Sequence, residues 1–131
     1  MTMTQDGSGP SKITAAVRYI AEALNNLSVS LSQFRRQVRA QTGTSYTVAS
    51  DDTSLILSPS GAFTLTLPDP AGVSGKILYL VNQAAQTVSS ASANVVPLAG
   101  GAAGTAILAA TAGKWAILQS NGTNWLIIAA N

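Results

Sequence analysis

Between residues 13 and 38 the apolar side chains are Ile13, Val17, Ile20, Leu24, Leu27, Leu31, Phe34 and Val38, at spacings of 4, 3, 4, 3, 4, 3 and 4. An unbroken alternation of threes and fours is a heptad repeat. Val17, Leu24, Leu31 and Val38 fall at a; Ile13, Ile20, Leu27 and Phe34 fall at d. The spacing predicts a helix over 13–38, about 39 Å long, with Ser11 as its cap and Gly43 as its stop. The e sites are Thr14, Ala21, Ser28 and Arg35, and the g sites are Ala16, Ala23, Ser30 and Gln37. Most of these flanks are small and uncharged, which lets helices approach over a wide face and suits three strands better than two, and isoleucine at two d sites leans the same way. The competing expectation is an amphipathic helix lying on its own β domain, although such a helix usually carries a broader stripe than strict a/d.

From residue 44 onward the period changes. Short apolar runs, "SYTVAS", "SLILS", "FTLTL", "KILYLVN", "QTVSS", "NVVPL", "TAILAA", "KWAILQ" and "NWLIIAA", are separated by Gly, Pro, Asn, Asp and Ser clusters. Short strands at regular intervals with such turns predict a β-sandwich or barrel-like domain. "KILYLVN" and "WLIIAA" are apolar on both faces, which neighbouring subunits could cover. The expected organisation is a flexible tail over 1–10, a coiled-coil helix over 11–43 and a β domain over 44–131, giving a mainly β fold that is trimeric through its helix.

The 131 residues are 47% apolar and only 9% charged, against roughly 25% charged in an average soluble protein. A small surface with so few charges is expected to be hidden in an oligomer or on a larger particle. The net charge of +2 is uneven: residues 1–43 carry +3 and residues 44–131 carry −1. Arg35, Arg36 and Arg39 would sit in the last helical turns, where they favour the helix dipole. In a trimer they would form a ring of about nine positive charges that an acidic partner could meet.

Neither cysteine nor histidine is present, which removes thiol chemistry, the commonest general base and the commonest metal ligand. With five acidic side chains and no evident base for a nucleophile, no enzymatic activity, cofactor, metal or small-molecule substrate is expected. Asp51 and Asp52 precede a strand, where adjacent side chains point to opposite faces; a turn or strand-entry role is expected rather than a cation site. Asp69, between two prolines, reads as a turn. The glycines of "AGGAAGT" match no phosphate loop or dinucleotide fingerprint. The charge balance gives no case for direct nucleic-acid binding. No 18-residue apolar run exists to span a membrane, and the first residues lack a signal-peptide pattern.

Asn121–Gly122 lies between two apolar runs, the strongest short-range hairpin signal. A two-residue turn there would pair Ser120 with Thr123, Leu118 with Trp125 and Trp115 with Ile128. The two indoles would then lie on opposite faces, as packing groups in a core or intersubunit seam rather than as one ligand platform.

The stretch "YTVASDDTSLILSPSGAFTLTLPDPAGVSGKILYLVN", continued by "GKWAILQSNGTNWLIIA", resembles a β module of tailed-bacteriophage structural proteins, including tail fibres, head fibres and capsid decoration proteins. An acidic pair leading into an apolar strand, "LTLPDPAG" and the closing "GTNW" carry the resemblance, over about two thirds of the chain. It implies a virion component, assembled in the host cytoplasm, typically a homotrimer with a helical N-terminal segment. The first expectation is a capsid decoration or cement protein whose partner is the major capsid protein or another virion protein. The second is a short tail fibre binding a host-surface receptor. The third is a trimeric coiled-coil scaffold unrelated to phages.

Overall fold

The computed structural model describes residues 9–32 and 37–131. The chain divides into two compact units, residues 1–35 and 36–131. The first contains one helix, α1 (Gly9–Ser32). Pro10 falls in its first turn, where a missing N–H costs nothing, so Ser11 lies inside the helix and not at its cap. The heptad residues Ile13, Val17, Ile20, Leu24 and Leu27 are each more than half exposed and share one stripe of α1. No helix among the described residues is long and apolar enough to cross a membrane.

α1 ends at Ser32 and does not run to Val38. Ser28, Val29, Ser30 and Ser32 are weaker helix formers than the alanines and leucines before them. The segment that would have continued the helix is instead the strand β1 (Gln37–Gln41). Val38 therefore leaves the heptad seam, and the helix–β boundary expected near residue 43 falls before residue 37.

The second unit is mainly β. After β1 come β2 (Ser45–Thr47), β3 (Asp52–Leu57), β4 (Phe63–Thr66), β5 (Ile77–Asn82), β6 (Val88–Ser90), β7 (Val95–Val96), β8 (Ala106–Leu108), β9 (Trp115–Ser120) and β10 (Trp125–Ala130). They form two mixed sheets, one ordered β1-β3-β5-β9-β10-β7 and the other β2-β4-β6-β8. Consecutive strands from β1 to β8 alternate between the sheets. Within each sheet the early strands stack in parallel: β1 on β3 on β5, and β2 on β4 on β6. The chain thus winds as a short two-sheeted solenoid before the antiparallel β5–β9–β10 ladder closes the larger sheet. Layering is that of a sandwich, but the connections are coils.

The core lies between the sheets. Leu55, Leu57, Leu78, Leu80, Leu118 and Trp125 from the larger sheet meet Phe63, Leu65, Val88 and Ile107 from the smaller one. Alternation along each strand sends these residues inward. Coil corners are tied by the main chain: Ser58 N–H donates to Gln41 C=O (2.8 Å) and Gln83 N–H to Leu57 C=O (2.7 Å). At one corner the buried Asn82 donates to Gln86 C=O (2.6 Å) and accepts from Ala84 N–H (3.1 Å), so its amide replaces water for a tight turn.

Two stretches far apart in sequence meet at one end of this core. Asp69 accepts from Ala71 N–H (3.1 Å) and opens a 3-10 turn over Pro70–Gly72. Trp125 Nε1–H donates to Pro68 C=O (2.9 Å), and Ser120 Oγ–H donates to Pro70 C=O (2.8 Å). "LPDPAG" and "SNGTNW" are therefore two halves of one closure.

The β9–β10 loop is longer than the sequence pattern predicts. Ser120 pairs with Trp125, Gln119 with Leu126 and Leu118 with Ile127. Asn121 Oδ1 accepts from both Thr123 N–H (2.9 Å) and Asn124 N–H (2.8 Å), an Asx turn that makes a four-residue loop. Gly122 adopts the left-handed conformation there, with φ 88°. A bulge at Ile128 then shifts the register again, so Ile117 pairs with Ala129.

Candidate functional site

The candidate site is the outward face of the larger sheet. Strand register sets two rows across it. One runs Val38–Ser54–Tyr79–Ile117 and the other Ala40–Ile56–Val81–Trp115. The rows line an open groove of about 350 Å³ whose walls include Val38, Tyr79, Val81 and Trp115. No charged residue lies in either row. Strands stacked in parallel are normally covered on both faces; here the smaller sheet covers one, and the other carries the groove.

The two tryptophans separate as the opposite-face reading requires, although by a different register. Trp125 is fully buried, opposite Ser120 on the core face, while Trp115 is 37% exposed on the groove face. Trp115 is not part of this domain's core. The two indoles do not form a single platform.

Beside the groove, on the inner side of β1, sits an ion-pair node. Arg39 Nη2 donates to both carboxylate oxygens of Asp51, at 3.2 and 3.0 Å. Its Nε pairs with Asp52 Oδ1. Asp52 Oδ2 also accepts from Tyr46 O–H (2.6 Å) and Ala49 N–H (2.7 Å). The Asp52 side chain is fully buried whereas Asp51 and Arg39 are about half exposed. Opposite-face reasoning did not anticipate that one guanidinium would reach both carboxylates. The cause is a bulge: Gln37 pairs with Asp52 but Val38 with Ser54. Skipping one residue reverses the side to which Asp52 points. Strand entry is the structural place of the pair, and the node fastens β1 to β3.

The charges shift proton affinities in definite directions. Asp51, then Asp52, raise the Arg39 guanidinium further above its already high value. Burial, and then the hydrogen bond to Asp52, push the Tyr46 phenol up.

Of the residues expected to act in assembly, Ile13, Val17, Ile20, Leu24 and Leu27 share the exposed stripe of α1. Leu31 is within α1, and its side chain lies outside the described residues, as do Phe34, Arg35 and Arg36. Val38 moves from the heptad to the rim of the groove, and Arg39 moves from a helical cation ring to the ion-pair node. The groove residues Tyr79 and Val81 were signalled only by the two-sided apolarity of "KILYLVN". The role of Tyr46 had no signal along the chain.

Comparison with known protein families, curated proteins and solved structures finds no match.

Proposed function

We propose that this protein is a non-enzymatic structural subunit of a tailed-phage virion, a homotrimer that decorates the head and stabilises it. The observation that carries the reading is the exposed, uncharged 3–4 stripe of α1 from Ile13 to Leu27. Five large apolar residues at coiled-coil spacing on one face call for partner helices. The paucity of charge and the resemblance of "LTLPDPAG" and "GTNW" to phage structural modules support the same reading. A trimer seated where capsomers meet gains several weak contacts at once, and they act jointly. Binding energy available only in the assembled shell then stabilises that shell by mass action.

The second reading is a short tail fibre that meets a host receptor. The exposed Trp115 beside Tyr79 in the groove favours it, because aromatic walls suit ligand recognition. Copy number in purified virions separates the two. Stoichiometry comparable with the major capsid protein is the expected result. A few copies per particle would assign the protein to the tail.

A further inference from the structure

We propose that Asn121 is a site of spontaneous covalent modification, at which the folded β9–β10 loop carries the side-chain amide through a cyclic imide to aspartate and isoaspartate. The site lies wholly within the β unit and does not depend on the trimeric reading.

The reacting groups are neighbours in sequence, and the loop holds them together. Asn121–Gly122 is the only Asn-Gly pair in the chain, and glycine puts no Cβ beside the nitrogen that must attack. Asn121 is exposed, so water reaches it. Its Oδ1 accepts from Thr123 N–H (2.9 Å) and Asn124 N–H (2.8 Å). An Asx turn of this kind folds the side-chain carbonyl back over the peptide that follows it, which keeps Asn121 Cγ close to Gly122 N. The same two N–H groups are aimed at the oxygen on which negative charge grows as that nitrogen adds, the arrangement of an oxyanion hole. Gly122 N–H donates to Ser120 Oγ at 3.2 Å, the long end of the range, so this bond restrains the nitrogen only weakly.

The chemistry needs only water and hydroxide. Gly122 N gives its proton to hydroxide and bonds to Asn121 Cγ, while the carbonyl π pair moves onto Oδ1. When that pair returns, the Cγ–Nδ2 bond breaks, and the nitrogen takes a proton from water and leaves as ammonia. Water then opens the imide. Opening at the side-chain carbonyl gives aspartate; opening at the main-chain carbonyl gives isoaspartate. The sum is one amide and one water converted to one carboxylate and one ammonium ion. In isoaspartate the main chain runs through Cβ, which adds a methylene between residue 121 and Gly122. That lengthens the loop next to Trp125, the residue that closes this end of the core.

The test follows residue 121 in the full-length protein, held at mildly alkaline pH either folded or in guanidinium chloride. Lys114 is the last basic residue, so trypsin releases residues 115–131 as one peptide. Tandem mass spectrometry locates each amide-to-acid change in that peptide, and an isoaspartyl methyltransferase reports isoaspartate. Conversion at Asn121 is expected to be at least as fast in the folded chain as in the denatured one. It should be about tenfold or more faster than at Asn124, where the following nitrogen, Trp125 N, is held by Asn94 C=O (2.8 Å). Gly122→Ala, which crowds the attacking nitrogen, should slow conversion at Asn121 about tenfold. Asn121→Gln, whose longer arm must close a larger ring, should keep its amide. A folded chain that retains the Asn121 amide, or converts it more slowly than the denatured chain, overturns the proposal, because the loop would then protect the residue. Aspartate without isoaspartate also overturns it, since direct hydrolysis would bypass the imide. So does an equal mass gain of the peptide in Asn121→Gln, which would place the change at another residue.

Discussion

The indole of Trp125 donates to the carbonyl of Pro68 across 57 residues of sequence, at 2.9 Å. This bond and the full burial of the ring close the end of the core where the last hairpin meets the Pro68–Pro70 turn. Trp125→Ala is expected to destabilise the β unit by about 3–5 kcal/mol through cavity formation. Trp125→Phe should cost less, mainly by leaving the Pro68 carbonyl unpaired. Denaturant melts of both variants check the order. Fluorescence of a Trp115→Phe protein, which isolates Trp125, should be blue-shifted and resistant to iodide quenching.

Removing the carboxylate of Asp52 strands the Tyr46 hydroxyl and the Ala49 amide. Asp52→Ala is expected to cost about 3 kcal/mol, since buried donors lose their acceptor and Arg39 loses its inner partner. Asp51→Ala, at the exposed end of the same node, should change stability far less. Chemical denaturation of the two single variants tests the contrast. Equal effects would mean that the node is held from its solvent side.

The Tyr46 phenol makes this node sensitive to alkali. Its folded-state pKa is raised by burial and by the bond to Asp52. The folded state therefore holds a proton that the unfolded chain gives up near pH 10. The linked stability is fully present below that pH and is lost as pH rises through the folded value. Thermal midpoints measured from pH 9 upward should fall more steeply for the native sequence than for Tyr46→Phe. Parallel curves would place the loss in other groups.

Charge placed on the helical stripe tests assembly. On the proposed trimeric reading, Leu24→Asp, in the middle of the stripe, lowers the native mass from trimer to monomer while the β unit keeps its own melting transition. An unchanged mass in light scattering would remove the stripe from any role in association.

Gly122 tests the loop. A Cβ at its φ of 88° would be strained and would stand 3.3 Å from Ser74 Oγ. Gly122→Ala should destabilise the domain by about 1 kcal/mol. Gly72→Ala is the comparison: a Cβ added at Gly72 meets nothing within 4 Å, and this variant should be nearly neutral in the same melt.

The strands from β2 onward were legible because each is a short apolar run bounded by turn residues, and such runs report local geometry. β1 was hidden because Phe34 and Val38 continue the heptad phase of α1 without interruption, while what selects the extended state is remote. Val38 to Gln41 pair with β3, and Arg39 finds Asp51 and Asp52. Parallel stacking left no mark either, since it depends on which runs become neighbours and not on their composition. The hairpin error had a different source. Asn121 commits its carbonyl oxygen to Thr123 and Asn124, and this longer turn competes with the two-residue one that Asn-Gly suggests. Of the candidate site, the apolarity of "KILYLVN" was visible, but its division into a core face and a groove face required the register.

The coiled winding also determines how such a domain can change length. Successive coils stack in parallel, so a duplicated pair of strands inserted after β2 would meet the same kind of ladder above and below it. Neither the direction of the following strands nor the closing hairpin would have to change. In an antiparallel meander, one added strand reverses everything downstream. The β unit can therefore lengthen between β1 and its closing hairpin in steps of one strand separation, about 4.8 Å.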